Sequence, residues 1–246
     1  MTHPEFLNAV LDNPSADDPR LRYADWLDEH CDPRGEFIRV QCRLARAAES
    51  GRCLFELELR EGELLHEFAP EWAKPIADLV ELWAFHRGFV EEIGTAADRF
   101  LAHAEDLFRQ APVQEIHLGN IGNQVEALAD SPWLGRAPFV DLSGNRLGDQ
   151  GIRQLTRSAK MAGIRGLNLS NTGMGDDGTL ALASSEAFPN LEELYLGNNK
   201  IGDAGAGALA GSPRLGRLNA LFLNDNNLSR DGKRILSRRF GNRVHF

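Results

Sequence analysis

The chain has 246 residues, of which 42% are hydrophobic and 26% charged, so it is a folded chain of one or two domains rather than a disordered one. Its formal net charge of −9 argues against nucleic acid as a partner, and no apolar stretch is long enough to span a membrane. The first residues lack the basic and apolar regions of a signal peptide, and the three cysteines are odd in number, so we expect no disulfide framework and a cytoplasmic location.

The charge and the residue pattern both change about a third of the way along the chain. Residues 1–85 carry 18 acidic and 9 basic side chains, whereas residues 86–246 carry 18 of each. The first segment shows no repeat, and the second is repetitive throughout. We therefore expect two domains, 1–85 and 86–246.

The first domain, residues 1–85, is expected to be all helical. Helices are predicted over residues 5–11, from residue 17, over 36–49 and over 54–68. Asp17 and Asp18 favour a helix start, because acidic side chains interact well with a helix N-terminus. Pro70 is expected to end the fourth helix, because proline lacks the backbone N–H of a helical hydrogen bond.

A repeat of 27 residues fills the second domain. Segments of the pattern Leu-x-x-Leu-x-Leu start at residues 137, 164, 191 and 218, with alanine or isoleucine in the first position of two of them. Downstream of each segment an apolar residue, a Gly-Asp pair, a second glycine and a leucine recur at the same spacing, with Ser229-Arg230 replacing Gly-Asp in the last. Weaker copies are found at residues 90–93 and 113–118, and a truncated copy at 244–246.

Each repeat predicts one strand followed by one helix. Alternate apolar residues indicate a short strand whose leucines point inward, and the aspartate of the Gly-Asp pair is predicted to be the N-cap of the following helix. Because one coil cannot bury both of its faces, the coils are expected to stack into a solenoid. Strands are predicted near residues 90–93, 113–118, 138–142, 165–169, 192–196, 219–223 and 244–246.

An asparagine column follows the strands. It consists of Asn145, Asn199 and Asn226, with Thr172 in the equivalent position of one repeat. An amide there can bond the exposed backbone of the neighbouring coil where the chain turns away from the strand. We expect this column to be structural.

The repeats resemble the leucine-rich repeat family, and their 27-residue length with Gly-Asp-x-Gly resembles the ribonuclease-inhibitor-like subtype. The resemblance covers roughly residues 89–246. It implies a short right-handed arc, an α/β solenoid with parallel strands on its inner, concave side and helices outside. Ala137, Thr172, Ile121 and Arg230 depart from the family pattern.

The first domain also carries a resemblance. Residues 21–30, Leu-Arg-Tyr-Ala-Asp-Trp-Leu-Asp-Glu-His, and residues 32–42, which begin Asp-Pro-Arg-Gly-Glu-Phe-Ile, resemble the bacterial repeat-companion domain. The resemblance covers about residues 4–45 and implies association with a repeat array, without an established activity. Because the terminal coil of a solenoid exposes apolar surface, we expect the helical domain to act as a cap.

No catalytic set, metal site or cofactor site is expected. Cys31, Cys42 and Cys53 are 11 residues apart, whereas zinc sites use pairs two to four residues apart. Cys31 lies beside His30 and Asp32, so a thiol-dependent transferase, or an enzyme-recruiting role of this domain, remains an alternative. The surrounding carboxylates disfavour a thiolate, and we expect Cys31 to be chemically ordinary.

The strand positions that face away from the leucines differ from repeat to repeat. Variable side chains on a constant scaffold are typical of a binding surface, and aromatic residues are frequent anchors there. The expected partner-binding residues on the concave face are Glu115, His117, Phe139, Asp141, Arg165, Asn168, Glu193, Tyr195 and Phe222. The sequence therefore predicts a non-enzymatic module, monomeric alone, that binds a protein partner of unknown identity.

Two further functions remain open. Acidic residues on the same face would suit an inhibitor of a basic enzyme, but this rests on analogy with the repeat subtype. The arginine-rich C-terminal segment, which includes Arg238 and Arg239, can contact phosphates, but we interpret it as a solvated final helix.

Overall fold

The computed structural model describes residues 2–49, 51 and 53–246. Its contacts divide the chain into two compact units, Met1–Gly94 with Glu105–Gln114, and Thr95–Ala104 with Glu115–Phe246. The sequence placed this division after residue 85, whereas here residues 86–94 group with the first unit. Within the described ranges, no helix is both long enough and apolar enough to cross a membrane.

Four helices open the first unit. They are α1 (His3–Asp12), α2 (Asp17–Glu29), α3 (Arg34–Glu49) and α4 (Phe55–Ala77). Tyr23 and Leu27 of α2 are buried with Ile38 of α3 and Phe89 in one apolar cluster. This packing buries one face of α2.

The expected end of α4 before Pro70 is wrong. The helix continues through Pro70 and Pro75 and ends at Ala77. An interior proline costs a helix about 3 kcal/mol, because a backbone hydrogen bond is lost. Ala69, Ala73 and Ile76 are buried along this part of α4, and their packing offsets that cost.

The first domain is also not all helical, because a strand pair follows α4. Strand β1 (Leu82–His86) pairs antiparallel with β2 (Phe89–Ala96), and β2 contains the strand that the sequence predicted near residues 90–93. Arg87 and Gly88 join the strands with φ values of 49° and 88°. Two residues of positive φ are typical of the tight turns that connect antiparallel strands.

A buried ion pair lies in the first unit. The guanidinium of Arg20 has no exposure to solvent, and its Nη2 lies 2.6 Å from Oε1 of Glu91. Arg87 Nη2 also donates to Glu91, over 2.9 Å. Burial lowers the pKa of Arg20. Because removal of one partner of a buried pair leaves an uncompensated charge, these residues fix how α2 and β2 pack.

The second unit alternates strands and helices. Helix α5 (Ala97–Gln110) crosses the division between the units. The strands are β3 (Glu115–Gly119), β4 (Phe139–Asp141), β5 (Gly166–Asn168), β6 (Glu193–Tyr195), β7 (Ala220–Phe222) and β8 (Val244–His245). The helices between them are α6 (Val125–Asp130), α7 (Gly148–Leu155), α8 (Asp176–Ser184), α9 (Asp203–Gly211) and α10 (Arg230–Phe240).

The strands of this unit pair in parallel and in chain order. Each strand pairs with the next, from β3 through β8. Their register aligns one row of buried residues, which are Ile116, Val140, Leu167, Leu194, Leu221 and Val244. Parallel strands connected by helices, with strand order equal to chain order, form an α/β solenoid.

The Gly-Asp aspartates do not cap their own helices, which corrects the prediction. Oδ1 of Asp149 accepts hydrogen bonds from the backbone N–H groups of Gly175 and Gly178, over 2.7 and 2.9 Å. Gly175 is the N-cap of α8, which belongs to the next coil. The same pair of bonds recurs one coil further on, at Asp176. Each aspartate therefore caps the helix of the following coil.

The asparagine column bonds the backbone of two coils at once. Nδ2 of Asn199 donates to the carbonyl oxygens of Leu169 and Leu196, over 2.8 and 3.1 Å. Its Oδ1 accepts from the backbone N–H of Met174 over 3.1 Å. Bonds of the same type are made by Asn145 and Asn226. These buried amides satisfy backbone groups that would otherwise lack partners.

Candidate functional site

The parallel register creates two rows of side chains beside the buried row, because residues on either side of a buried strand residue share the opposite face. One row contains Glu115, Phe139, Gly166, Glu193 and Ala220. The other contains His117, Asp141, Asn168, Tyr195, Phe222 and His245. We call these two rows the variable face.

The variable face brings together eight of the nine residues that the sequence singled out. All eight are partly exposed. Arg165 is the exception, because it precedes β5 and lies outside both rows. Its Nη2 lies 2.7 Å from Oε2 of Glu192, one repeat further along the chain. Arg165 therefore forms an ion pair with Glu192 next to the variable face.

One end of the variable face is polar. The Nε2 atom of His117 lies 3.0 Å from Oε1 of Glu115, and its Nδ1 lies 3.5 Å from Oδ2 of Asp141. Nδ2 of Asn168 donates to the same Asp141 oxygen over 2.9 Å. The backbone N–H of Ser143 donates to Oδ1 of Asp141 over 2.7 Å. The Asp141 carboxylate thus joins three neighbouring strands.

These contacts set the charge of the polar end. Hydrogen bonds with Asp141 and then Glu115 raise the pKa of His117 to about 10. Burial alone would raise the pKa of Asp141, but hydrogen bonds from His117 and Ser143 outweigh it and lower this pKa to about 2. At neutral pH the imidazole is therefore protonated between two carboxylates.

The other end of the variable face is a row of stacked rings. The rings of Tyr195 and Phe222 are parallel within 7°, with centroids 4.5 Å apart. The ring of His245 stacks on Phe222 at 4.7 Å, and Phe139 meets Tyr195 edge to face at 6.0 Å. We call Phe139, Tyr195, Phe222 and His245 the aromatic row. Each such contact contributes about 0.5–1.5 kcal/mol beyond burial.

Gly166 makes the aromatic row continuous. A Cβ atom at this position would lie 2.4 Å from Cδ2 of Phe139, so the Phe139 ring covers the glycine. The ring then reaches Tyr195, two strands away from its own strand. The sequence placed Gly166 on this face but did not predict that the Phe139 ring covers it, and it did not assign His245 to the site. The truncated repeat copy at 244–246 was the signal in the sequence for His245.

The tyrosine at the centre of the row is fixed by its neighbour. The hydroxyl of Tyr195 donates to Oε2 of Glu193 over 2.8 Å. Burial, together with this carboxylate, raises the pKa of Tyr195 to about 12. The phenol is therefore neutral over the physiological range, and its ring is held in one orientation.

The cysteines of the first unit lie in different surroundings. Cys31 is exposed and has a positive φ of 56°, and its backbone N–H donates to the carbonyl of Asp28. The ring of His30 packs on Trp26, with centroids 4.0 Å apart, and its Nδ1 bonds the Trp26 carbonyl. Burial raises the pKa of the Cys42 thiol to about 11. This buried position suits a small apolar residue.

The repeats match a known family. Residues 139–155 and 189–210 match the family model for the Leucine Rich repeat. These segments contain β4 with α7, and β6 with most of α9. Within these two segments, the second unit is similar to leucine-rich repeats. Among curated proteins, no sequence matches the chain.

Two solved structures are similar to part of the chain. One is the actin-binding site 2 of leiomodin-1, which is 17% identical, aligns with 50% of this chain and 76% of its own, and has a TM-score of 0.37. The other is an internalin, inlF, from Listeria monocytogenes, which is 16% identical and has a TM-score of 0.26. The second alignment covers 52% of this chain and 46% of the internalin chain.

Proposed function

We propose that this protein is a non-enzymatic interaction module that binds a protein partner on the variable face, the concave side of its leucine-rich repeats. The observation that carries the proposal is the aromatic row. Stacked rings that remain partly exposed offer a large apolar contact area beside polar groups. Interfaces concentrate their binding energy in such aromatic anchors.

The geometry of the row supports high-affinity binding. Tyr195 is held between Phe139 and Phe222 and is also bonded to Glu193. A side chain already held in one rotamer loses little conformational entropy when a partner covers it. The aromatic row therefore presents a rigid surface for a complementary apolar side chain.

We expect the polar end of the variable face to orient the protein partner rather than to supply binding energy. Its carboxylate, amide and imidazole groups already bond one another. Groups with partners inside the protein gain little when they contact another protein, but they reject ligands that place unpaired charge against them. We assign the choice of partner to this end and the main binding energy to the aromatic row.

An inhibitor of a basic enzyme is less well supported. Arg165 balances Glu192, and Glu193 accepts the Tyr195 hydroxyl, so these carboxylates already have partners. An acidic docking surface would show binding that weakens steeply with salt. A partner that stays bound as salt is raised would favour the aromatic row over this alternative.

The finer assignments rest on the sequence. The 27-residue spacing supports the ribonuclease-inhibitor-like subtype, and the residues at 21–30 and 32–42 support a repeat-companion domain. The capping role of that domain stays a prediction. The transferase alternative requires a reactive Cys31, and alkylation of Cys31 at the rate of an ordinary exposed thiol would contradict it.

The direct test is partner capture by the immobilised full chain from a native lysate. One double variant combines Tyr195→Ala with Phe222→Ala, and its matched control combines Arg238→Ala with Arg239→Ala. Truncation of a central aromatic anchor costs about 2 kcal/mol or more, so the first variant should lose the captured protein. The control changes exposed side chains of α10 and should keep it. Loss in the arginine variant alone would contradict the proposal.

A further inference from the structure

The first unit contains a cavity that the proposed binding face does not use. Its volume is about 180 Å³. Leu7, Ile76, Phe89, Val90 and Ala111 contribute apolar walls, and Trp72 contributes an aromatic one. An apolar cavity of about 150 Å³ is large enough for benzene, so this one has room for a single small ring with a substituent.

Four polar side chains also line this cavity. They are His3, Tyr23, Arg34 and Gln110. The hydroxyl of Tyr23 is hydrogen-bonded to Nδ1 of His3, so these two groups are partners of each other. Burial raises the pKa of Tyr23, which keeps the hydroxyl neutral. His3 is exposed, so the cavity is open on that side.

Arg34 is the charged group of the cavity. Its Nη2 makes one long contact of 3.4 Å with the carbonyl of Gly88, and its guanidinium lies 4.9 Å from the centre of the Phe89 ring. Its Nε is buried and has no hydrogen-bond acceptor among the described residues. Burial lowers the pKa of Arg34, although the nearby Tyr23 and Asp32 oppose this shift.

Arg20 and Arg34 differ in their ion pairs. Both guanidinium groups lie over the Phe89 ring, but Arg20 has the Glu91 carboxylate at 2.6 Å. Within the described part of the chain, no ion pair of Arg34 is found. A dehydrated guanidinium with a free N–H is compensated best by a carboxylate, which matches its planar donor geometry.

We propose that this cavity binds a small aromatic monocarboxylate, whose carboxylate pairs with Arg34 and whose ring lies between Trp72 and Phe89. The volume limits the ligand to about one six-membered ring with a one- or two-carbon acid. A single guanidinium in apolar walls suits one negative charge and disfavours a phosphate dianion, which needs more donors.

The test is calorimetric titration of the full chain with benzoate and with benzyl alcohol, which is similar in size but neutral. We expect one-to-one binding of benzoate, at least about tenfold tighter than benzyl alcohol, because hydrogen bonds to a charged group add this much. Arg34→Gln should remove the difference between the two compounds. Arg22→Gln is the matched control, because Arg22 is exposed on α2 and does not line the cavity.

A second variant keeps the Arg34 charge and fills the cavity. Ala111→Phe places a ring in the cavity while Arg34 is unchanged, and it should abolish binding of both compounds. Circular dichroism shows whether each variant is folded. Equal affinity of the unmodified chain for the two compounds, or no benzoate binding at about 10 mM, would overturn the proposal, and neither result affects the aromatic row.

Discussion

Replacement of Asn199 by alanine is expected to destabilise the second unit by about 3 kcal/mol. The residue is only 8% exposed. It donates to two carbonyl groups, of Leu169 and Leu196, and accepts from the N–H groups of Thr172 and Met174. Alanine would leave all four buried backbone groups without this partner.

The magnitude follows from those four bonds. A neutral buried hydrogen bond contributes about 1 kcal/mol net, and a buried group left unpaired costs about 1–3 kcal/mol. The full sum is reduced, because water can enter the space left by the amide and satisfy some of the groups. We therefore expect about 3 kcal/mol, not the larger sum of four separate penalties.

Urea unfolding monitored by circular dichroism measures this loss. Lys200→Ala is the matched control, because the neighbouring Lys200 side chain is exposed and its backbone N–H keeps its bond to Met174. The control should change the free energy of unfolding by less than about 0.5 kcal/mol. A loss below about 1 kcal/mol in Asn199→Ala would refute the structural role of the column.

Three other substitutions test separate parts of the molecule. Glu91→Gln leaves the buried Arg20 charge uncompensated and should cost about 3 kcal/mol in urea unfolding. Gly166→Ala forces the Phe139 ring away from the strand and should reduce the free energy of unfolding by about 1–3 kcal/mol. The same variant should capture less of the partner. Unchanged capture would contradict the role of a continuous aromatic row. The raised pKa of His117 contributes stability that is complete below pH 6.5 and lost as pH rises to about 10. Because this side chain is 38% exposed, we expect a loss of only about 1 kcal/mol, absent in His117→Gln.

The repeat made much of the second unit predictable. Strands β4 to β7 lie inside the segments expected at 138–142, 165–169, 192–196 and 219–223. The period of 27 also implied that Tyr195 and Phe222 would be neighbours, because equivalent positions of adjacent coils align. A repeated pattern predicts both the local structure of each repeat and which residues of adjacent repeats are neighbours.

Other features depend on contacts that a local pattern does not contain. Pro70 lies inside α4 because the packing of one helix face outweighs a local penalty. The turn at Arg87 and Gly88 joins an antiparallel strand pair, and it lies outside the 27-residue pattern on which the strand predictions depended. The reach of Phe139 across Gly166 depends on a ring orientation, and the sequence does not specify one.

The aspartate caps give the repeat array a direction. Asp149, Asp176 and Asp203 each lie in one coil and hold the start of the helix in the next coil. A coil therefore receives its cap from the preceding repeat and supplies one to the following repeat. Insertion or deletion of a whole 27-residue unit leaves every cap paired, whereas a partial insertion does not. We therefore expect the copy number of such an array to change in complete units, which would lengthen the variable face and leave the remaining coils unchanged.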